Sequence, residues 1–162
     1  MLTQPAQRVR EAVEPAVTAA GLVLEDVAVS AAGRRTVVRV VVDLDDDALG
    51  SLDSDTLGAV SRSVSAALDA TDPVRGAYVL EVSTPGTDRP LTELRHFRRA
   101  RTRLVRLTLA DGTVVAGRLV SAESSGLEVD TGSGTTRLEL GAVVRGAVEV
   151  ELTHLGNQEE DV

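Results

Sequence analysis

The sequence predicts an α+β protein, with an α-β-β-α-β domain at the N-terminal end followed by a small all-β barrel. Three observations carry this. Before residue 85, apolar residues recur at helical spacing in two segments and form β-branched runs in three others. A segment rich in proline and glycine, "STPGTDRPL", interrupts that pattern near the middle of the chain. After it, short alternating runs are punctuated by turn signals every ~8–12 residues, the mark of a small barrel or sandwich. The boundaries that follow are a domain over 1–84, a stiff linker over 85–91, a barrel over 92–155 and a disordered acidic tail over 156–162.

Thr3 followed by Gln4-Pro5 reads as a helix N-cap with proline in the first turn. Val9, Val13, Ala16, Val17 and Ala20 continue at helical spacing as far as Gly21, the expected stop. Pro15 predicts a kink or break within that helix. The runs 22–30 and 34–43 are β-branched and separated by Ala31-Ala32-Gly33, which predicts a hairpin. In the second run Val38, Val40 and Val42 share one face, with Val37, Arg39 and Val41 on the other. Leu57, Val60, Val64 and Leu68 mark a second helix beginning near Asp53 or Ser54. A third strand over 76–84 sets Tyr78, Leu80 and Val82 against Val79, Glu81 and Ser83. Both helices are expected to pack on one face of the sheet.

Pro85 presets φ for the second position of a turn and Gly86 accepts positive φ at the third, so Thr84-Pro85-Gly86-Thr87 suits a type II turn. Pro90 pushes Arg89 toward an extended conformation. With Asp88, these five residues predict a linker that restricts the angle between the domains; turn chemistry explains most of them, and ligand contact is the other reading. A short helix from Leu91 should turn Leu94 and Phe97 toward the barrel and Arg95, Arg98 and Arg99 outward. In the barrel, Asp111-Gly112 predicts a hairpin with a two-residue I′ turn.

Charge is the most informative total. Net charge is −8, yet residues 89–106 hold seven arginines and one acid, whereas 1–88 and 107–162 are each −7. A basic stripe between two acidic bodies suits either phosphate contact, through Arg95, Arg98, Arg99, Arg101 and Arg103, or pairing within the molecule. All seventeen basic residues are arginine, a skew that genome composition explains and that also favours bidentate binding of phosphate. Tyr78 and Phe97 are the only aromatic residues, so base stacking is not a major mode of recognition.

Several chemistries are excluded. There is no cysteine, hence no disulfide, thiolate nucleophile or cysteine zinc site. His96 and His154 stand far apart, no G-x-S-x-G, H-E-x-x-H or G-x-G-x-x-G motif occurs, and a chain without lysine contains no P-loop. No catalytic residue, metal or cofactor is expected. The acidic run "DLDDDALGSLDS" places Asp43, Asp45 and Asp47 as in a calcium loop, but Ala48 and Ser54 stand where glycine and a bidentate glutamate belong. Asp43, Asp45, Asp46 and Asp47 read instead as a solvated turn or as an acidic patch for a basic protein partner. No run of ~18 apolar residues suggests a membrane span, and a cytoplasmic monomer is expected.

The segment from Tyr78 to Leu107 resembles the signature of the bacterial RimP family of ribosome maturation factors. Glu81, Val82, Ser83, Pro85, Gly86, Asp88, Arg89, Pro90, Leu91, His96 and Phe97 carry the likeness, while Thr84 and Thr87 depart from the commonest residues and arginine replaces the family's frequent lysines. The resemblance implies a KH-like N-terminal domain, an Sm-like barrel and a non-catalytic assembly factor for the small (30S) ribosomal subunit. It also implies binding to the immature particle, to small-subunit rRNA and to the basic small-subunit protein numbered twelve. No G-x-x-G loop lies among the N-terminal elements, so phosphate clamping by that domain is not expected. A protein-binding adaptor without RNA contact is the alternative.

Overall fold

The computed structural model describes residues 2–150 and divides between Gly86 and Thr87 into two compact units. The first contains helix α1 (Gln4–Ala19), strands β1 (Val23–Ala32) and β2 (Arg35–Asp43), helix α2 (Ser54–Thr71) and strand β3 (Tyr78–Ser83). The architecture is α+β, in the predicted order.

Thr3 caps α1, its hydroxyl accepting from the Ala6 amide at 3.3 Å, and Pro5 occupies the first turn, where no donor is missed. Of the two outcomes expected at Pro15, the break does not occur: α1 continues through it. Pro15 is exposed, on the side of the helix away from the core, and its missing amide leaves the Glu11 carbonyl without its usual helical donor. At the far end the Leu22 amide donates to the Val17 carbonyl and the Gly21 amide to the Thr18 carbonyl, the paired bonds of a Schellman termination.

The hairpin forms, but its turn is Gly33-Arg34 and the two alanines belong to β1, Ala32 pairing with Arg35. Only Gly33 has positive φ (64°), as a II′ turn requires at its first position. β2 is central: β1 runs antiparallel to it and β3 parallel, with α2 as the crossover. Val38, Val40 and Val42 are fully buried against Val9, Val13 and Val17 of α1 and Val60, Val64 and Leu68 of α2. The opposite face of the sheet carries Arg39 and Glu81, an exposed ion pair at 3.0 Å.

The second unit contains helix α3 (Leu94–Arg99) and strands β4 (Leu104–Leu109), β5 (Val114–Glu123), β6 (Gly126–Asp130), β7 (Thr135–Leu138) and β8 (Val143–Val148). They form one five-stranded antiparallel sheet in the order β7-β6-β5-β4-β8. Its core is built from Phe97, Val105, Leu107, Leu119, Leu127 and Val129, joined by Leu91, which exchanges both backbone bonds with Gly146 at 2.7 Å. A Cβ on Gly146 would stand 2.7 Å from Leu107 Cδ2 and 3.1 Å from the Phe97 ring, so the strand approaches this closely only as glycine.

Two turns differ from expectation. β4 and β5 are joined by a three-residue loop, Ala110-Asp111-Gly112: the Gly112 amide donates to the Leu109 carbonyl, the Leu109 amide to the Thr113 carbonyl, and Gly112 alone has positive φ. This is a type I turn followed by a bulge, not a I′ turn. In the linker, Gly86 is not among the glycines of positive φ, so no type II turn forms at Pro85-Gly86; the chain turns at Thr87-Asp88. The expected acidic tail lies outside the described residues, as does His154.

Candidate nucleic-acid interface and acidic turn

α3 is short, and local polar contacts define its start. His96 Nδ1 accepts from the Thr92 amide at 3.1 Å and the Glu93 amide at 3.2 Å, satisfying donors at the helix entrance. Phe97 anchors the helix in the core, and the arginines follow around it.

Arg98 is not turned outward. Its guanidinium lies over β5, with Nη1 donating to the Ala122 carbonyl at 3.2 Å and to Glu123 Oε2 at 3.1 Å, and only 16% of its side chain is exposed. The long apolar stem covers the core while the charge stays paired. Arg95 and Arg99 are half-buried rather than projecting freely. Arg101 Nε donates back to the Arg98 carbonyl at 2.8 Å, and Arg103 is half-buried. The five predicted residues are thus gathered around the α3–β4 turn, with Arg98 committed to the fold.

Thr102, at the centre of this turn, has φ of 74°, a left-handed conformation that a β-branched residue rarely adopts. Three bonds hold it: its amide donates to the Leu119 carbonyl at 2.8 Å, Arg118 Nη1 donates to its carbonyl at 2.6 Å, and the Leu119 amide donates to the Arg103 carbonyl at 2.9 Å. Strain of this kind persists only where the surroundings over-determine it. Arg118, from β5, therefore joins the basic cluster although it lies outside the basic stripe of the sequence. The signal that places it is strand register, which sets it opposite Leu104. Arg106, on the outward side of β4, pairs with Glu149 at 2.9 Å.

The acidic turn is not a uniform exposed patch. Asp43 ends β2 and is 5% exposed, its Oδ1 accepting from the Leu44 amide at 2.8 Å. Asp45 Oδ1 accepts from the Asp47 and Ala48 amides at 3.0 and 3.2 Å, which closes the turn on itself. Asp46 is half-buried, leaving Asp45 and Asp47 as the exposed members. Further along, Asp53 caps α2 by accepting from the Thr56 amide at 2.7 Å, and these bonds lower its pKa. Among the described residues no three acidic or histidine side chains are grouped to hold a metal ion, and no helix is long and apolar enough to cross a membrane.

Comparison with known proteins places the chain. The family description "RimP N-terminal domain" matches residues 12–88. A relative from Kineococcus radiotolerans, named ribosome maturation factor RimP, is 45% identical over 158 residues, spanning 88% of this chain and 76% of its own length. This chain belongs to the RimP family. Relatives of the same name from Parafrankia sp. (strain EAN1pec) and Frankia casuarinae are 41% and 44% identical, and the chain spans 56% and 54% of their lengths. The RimP family is a non-enzymatic one.

Proposed function

We propose that this RimP-family chain is a non-catalytic factor in ribosome maturation, acting on the immature small subunit through rRNA phosphates and a basic ribosomal protein. The observation that carries it is the gathering of Arg95, Arg99, Arg101 and Arg103 around one turn of an otherwise acidic, RimP-like chain. Backbone contact rather than base reading suits a surface of guanidinium groups without aromatic platforms. Asp45 and Asp47 suit a basic partner, the small-subunit protein numbered twelve in the family reading, while buried Asp43 and half-buried Asp46 act through the shape of the turn. The KH-like and Sm-like descriptions of the two units, the stiff linker between them, the cytoplasmic setting and the monomeric state belong to the same proposal.

Arg98 and Arg106, both ion-paired within the molecule, favour the alternative adaptor reading, in which arginines serve the fold. Co-sedimentation tests the proposal: purified protein is mixed with small subunits from cells depleted of it, with mature small subunits and with large subunits, at two salt concentrations. Preferential, salt-sensitive binding to the immature small subunit is expected, and Arg99→Gln with Arg103→Gln should weaken it. Equal binding to all particles, or none, overturns the assembly-factor reading. Selective binding that the double variant retains supports the adaptor.

A further inference from the structure

The outward face of the second unit's sheet carries a basic line that charge clustering in the sequence does not reveal. Val105 and Leu107 point into the core, so Leu104, Arg106 and Thr108 point the other way. Register fixes their neighbours: Leu104 opposes Arg118, Arg106 lies between Ala116 of β5 and Ala147 of β8, and Thr108 lies between Val114 and Arg145. Arg118, Arg106 and Arg145 therefore fall on a diagonal across β5, β4 and β8, and all three are exposed.

Strand spacing and a two-residue step put successive members about 8 Å apart at Cα, a separation that mobile guanidinium groups can match to consecutive phosphates. Ala116 and Ala147 flank the middle arginine across the strands, while Leu104 and Thr108 flank it along β4. One end is continuous with the arginine turn, because Arg118 is held to the Thr102 carbonyl. Acids share the face: Asp130 opposes Arg118, Glu149 pairs with Arg106, and Glu128 pairs with Arg137 of β7. The Arg106–Glu149 pair is exposed on both sides, and such pairs contribute little, so a polyanion can displace the carboxylate.

We infer that this diagonal is a phosphate track for a single RNA strand, running from the α3–β4 turn across β5, β4 and β8 to Arg145. It rests on the RNA-binding part of the proposed function and adds a site and a direction to it. An acidic polypeptide is the other polyanion to consider. Leu104 and the exposed Val114 and Val120 share the face, but no aromatic side chain does, and three arginines at regular spacing fit a phosphate backbone better than a protein interface.

The test is binding of a twelve-nucleotide oligouridylate to the full chain by fluorescence anisotropy across a salt series, with polyglutamate as competitor. Arg145→Gln should reduce the slope of log affinity against log salt by about 0.7, and Arg106→Gln with Arg145→Gln by about 1.4, one phosphate contact each. Arg137→Gln, removing an exposed arginine of β7 away from the line, should leave the slope unchanged. The single Arg145→Gln variant keeps the test decisive if loss of Arg106 disturbs folding. Wild-type slopes in both track variants overturn the track. So does competition by polyglutamate at equal charge concentration, or failure of the wild type to bind the oligonucleotide. If the track variants bind normally but Arg99→Gln with Arg103→Gln does not, the track fails and the proposed function stands.

Discussion

Tyr78 is the only tyrosine in a chain without tryptophan, so its ionisation can be followed by ultraviolet absorbance without interference. Burial raises its pKa above 10.0, and the charges of Asp69 and Asp72 raise it further. A proton held more tightly in the folded state contributes stability that is fully present below the unfolded value and is lost as pH rises through the folded one. The tyrosinate midpoint of the native protein should therefore lie above that of the denatured chain. Asp69→Asn and Asp72→Asn should each lower it without abolishing the difference, since burial is the larger cause. A native midpoint at or below the denatured one would sink this account. The inward side of Tyr78 is legible from strand alternation, but its acidic neighbours come from α2 and its C-terminal cap. The same limit applies to Asp43 and Arg98. A carboxylate in an acidic run and an arginine in a basic run look solvent-facing by composition, and only the packed structure shows one buried and the other laid over β5.

Elements depend on close approach as much as on propensity. β8 reaches Leu91, Leu107 and Phe97 because residue 146 has no side chain. Gly146→Ala should destabilise the protein by about 1–3 kcal/mol, the usual cost of overpacking, as measured by urea unfolding. Gly141→Ala, where an added Cβ meets nothing within 4 Å, is the control. Equal stability of the two variants would show that β8 yields easily. Turns set a second limit on reading elements from sequence. The presence of the β4–β5 hairpin is legible from Asp111-Gly112, but the loop has three residues where two are predicted. A two-residue loop would pair Leu104 with Leu119 and turn Arg118 toward the core side; the extra residue shifts the pairing by one and places Arg118 outside. A single loop residue thus separates a sequence in which the basic diagonal is invisible from a sheet in which it is continuous. Pro15 shows the opposite case. A strong local signal for a break is overridden because the helix buries Ala6, Val9, Val13 and Val17 on the face away from it.

Across the whole molecule, the order of elements and the change of character near residue 86 are legible because each unit writes its own periodicity: helices and valine-rich strands first, short punctuated strands after. The two cores draw on separate residues, Ala6 to Val74 in one and Leu91 to Val129 in the other. Partners are not legible in the same way, since charge indicates only the sign of what binds, and the ribosomal reading comes from family likeness. If each core is sufficient, fragments 1–86 and 87–162 should each fold when produced alone, although units of this size have little surplus burial and melt at modest temperature. Circular dichroism should show a helical, cooperative transition for the first and a β-rich one for the second. Given that folding, every arginine of the proposed RNA surface lies in 87–162, so this fragment should retain the oligouridylate affinity and salt slope of the full chain and 1–86 should bind none. Two folded fragments with binding in 1–86 would move the RNA surface to the wrong half of the chain for both the turn and the diagonal. An unfolded 87–162 would instead show that the five-stranded sheet needs the N-terminal unit, and that two cores distinct in composition are one in energy.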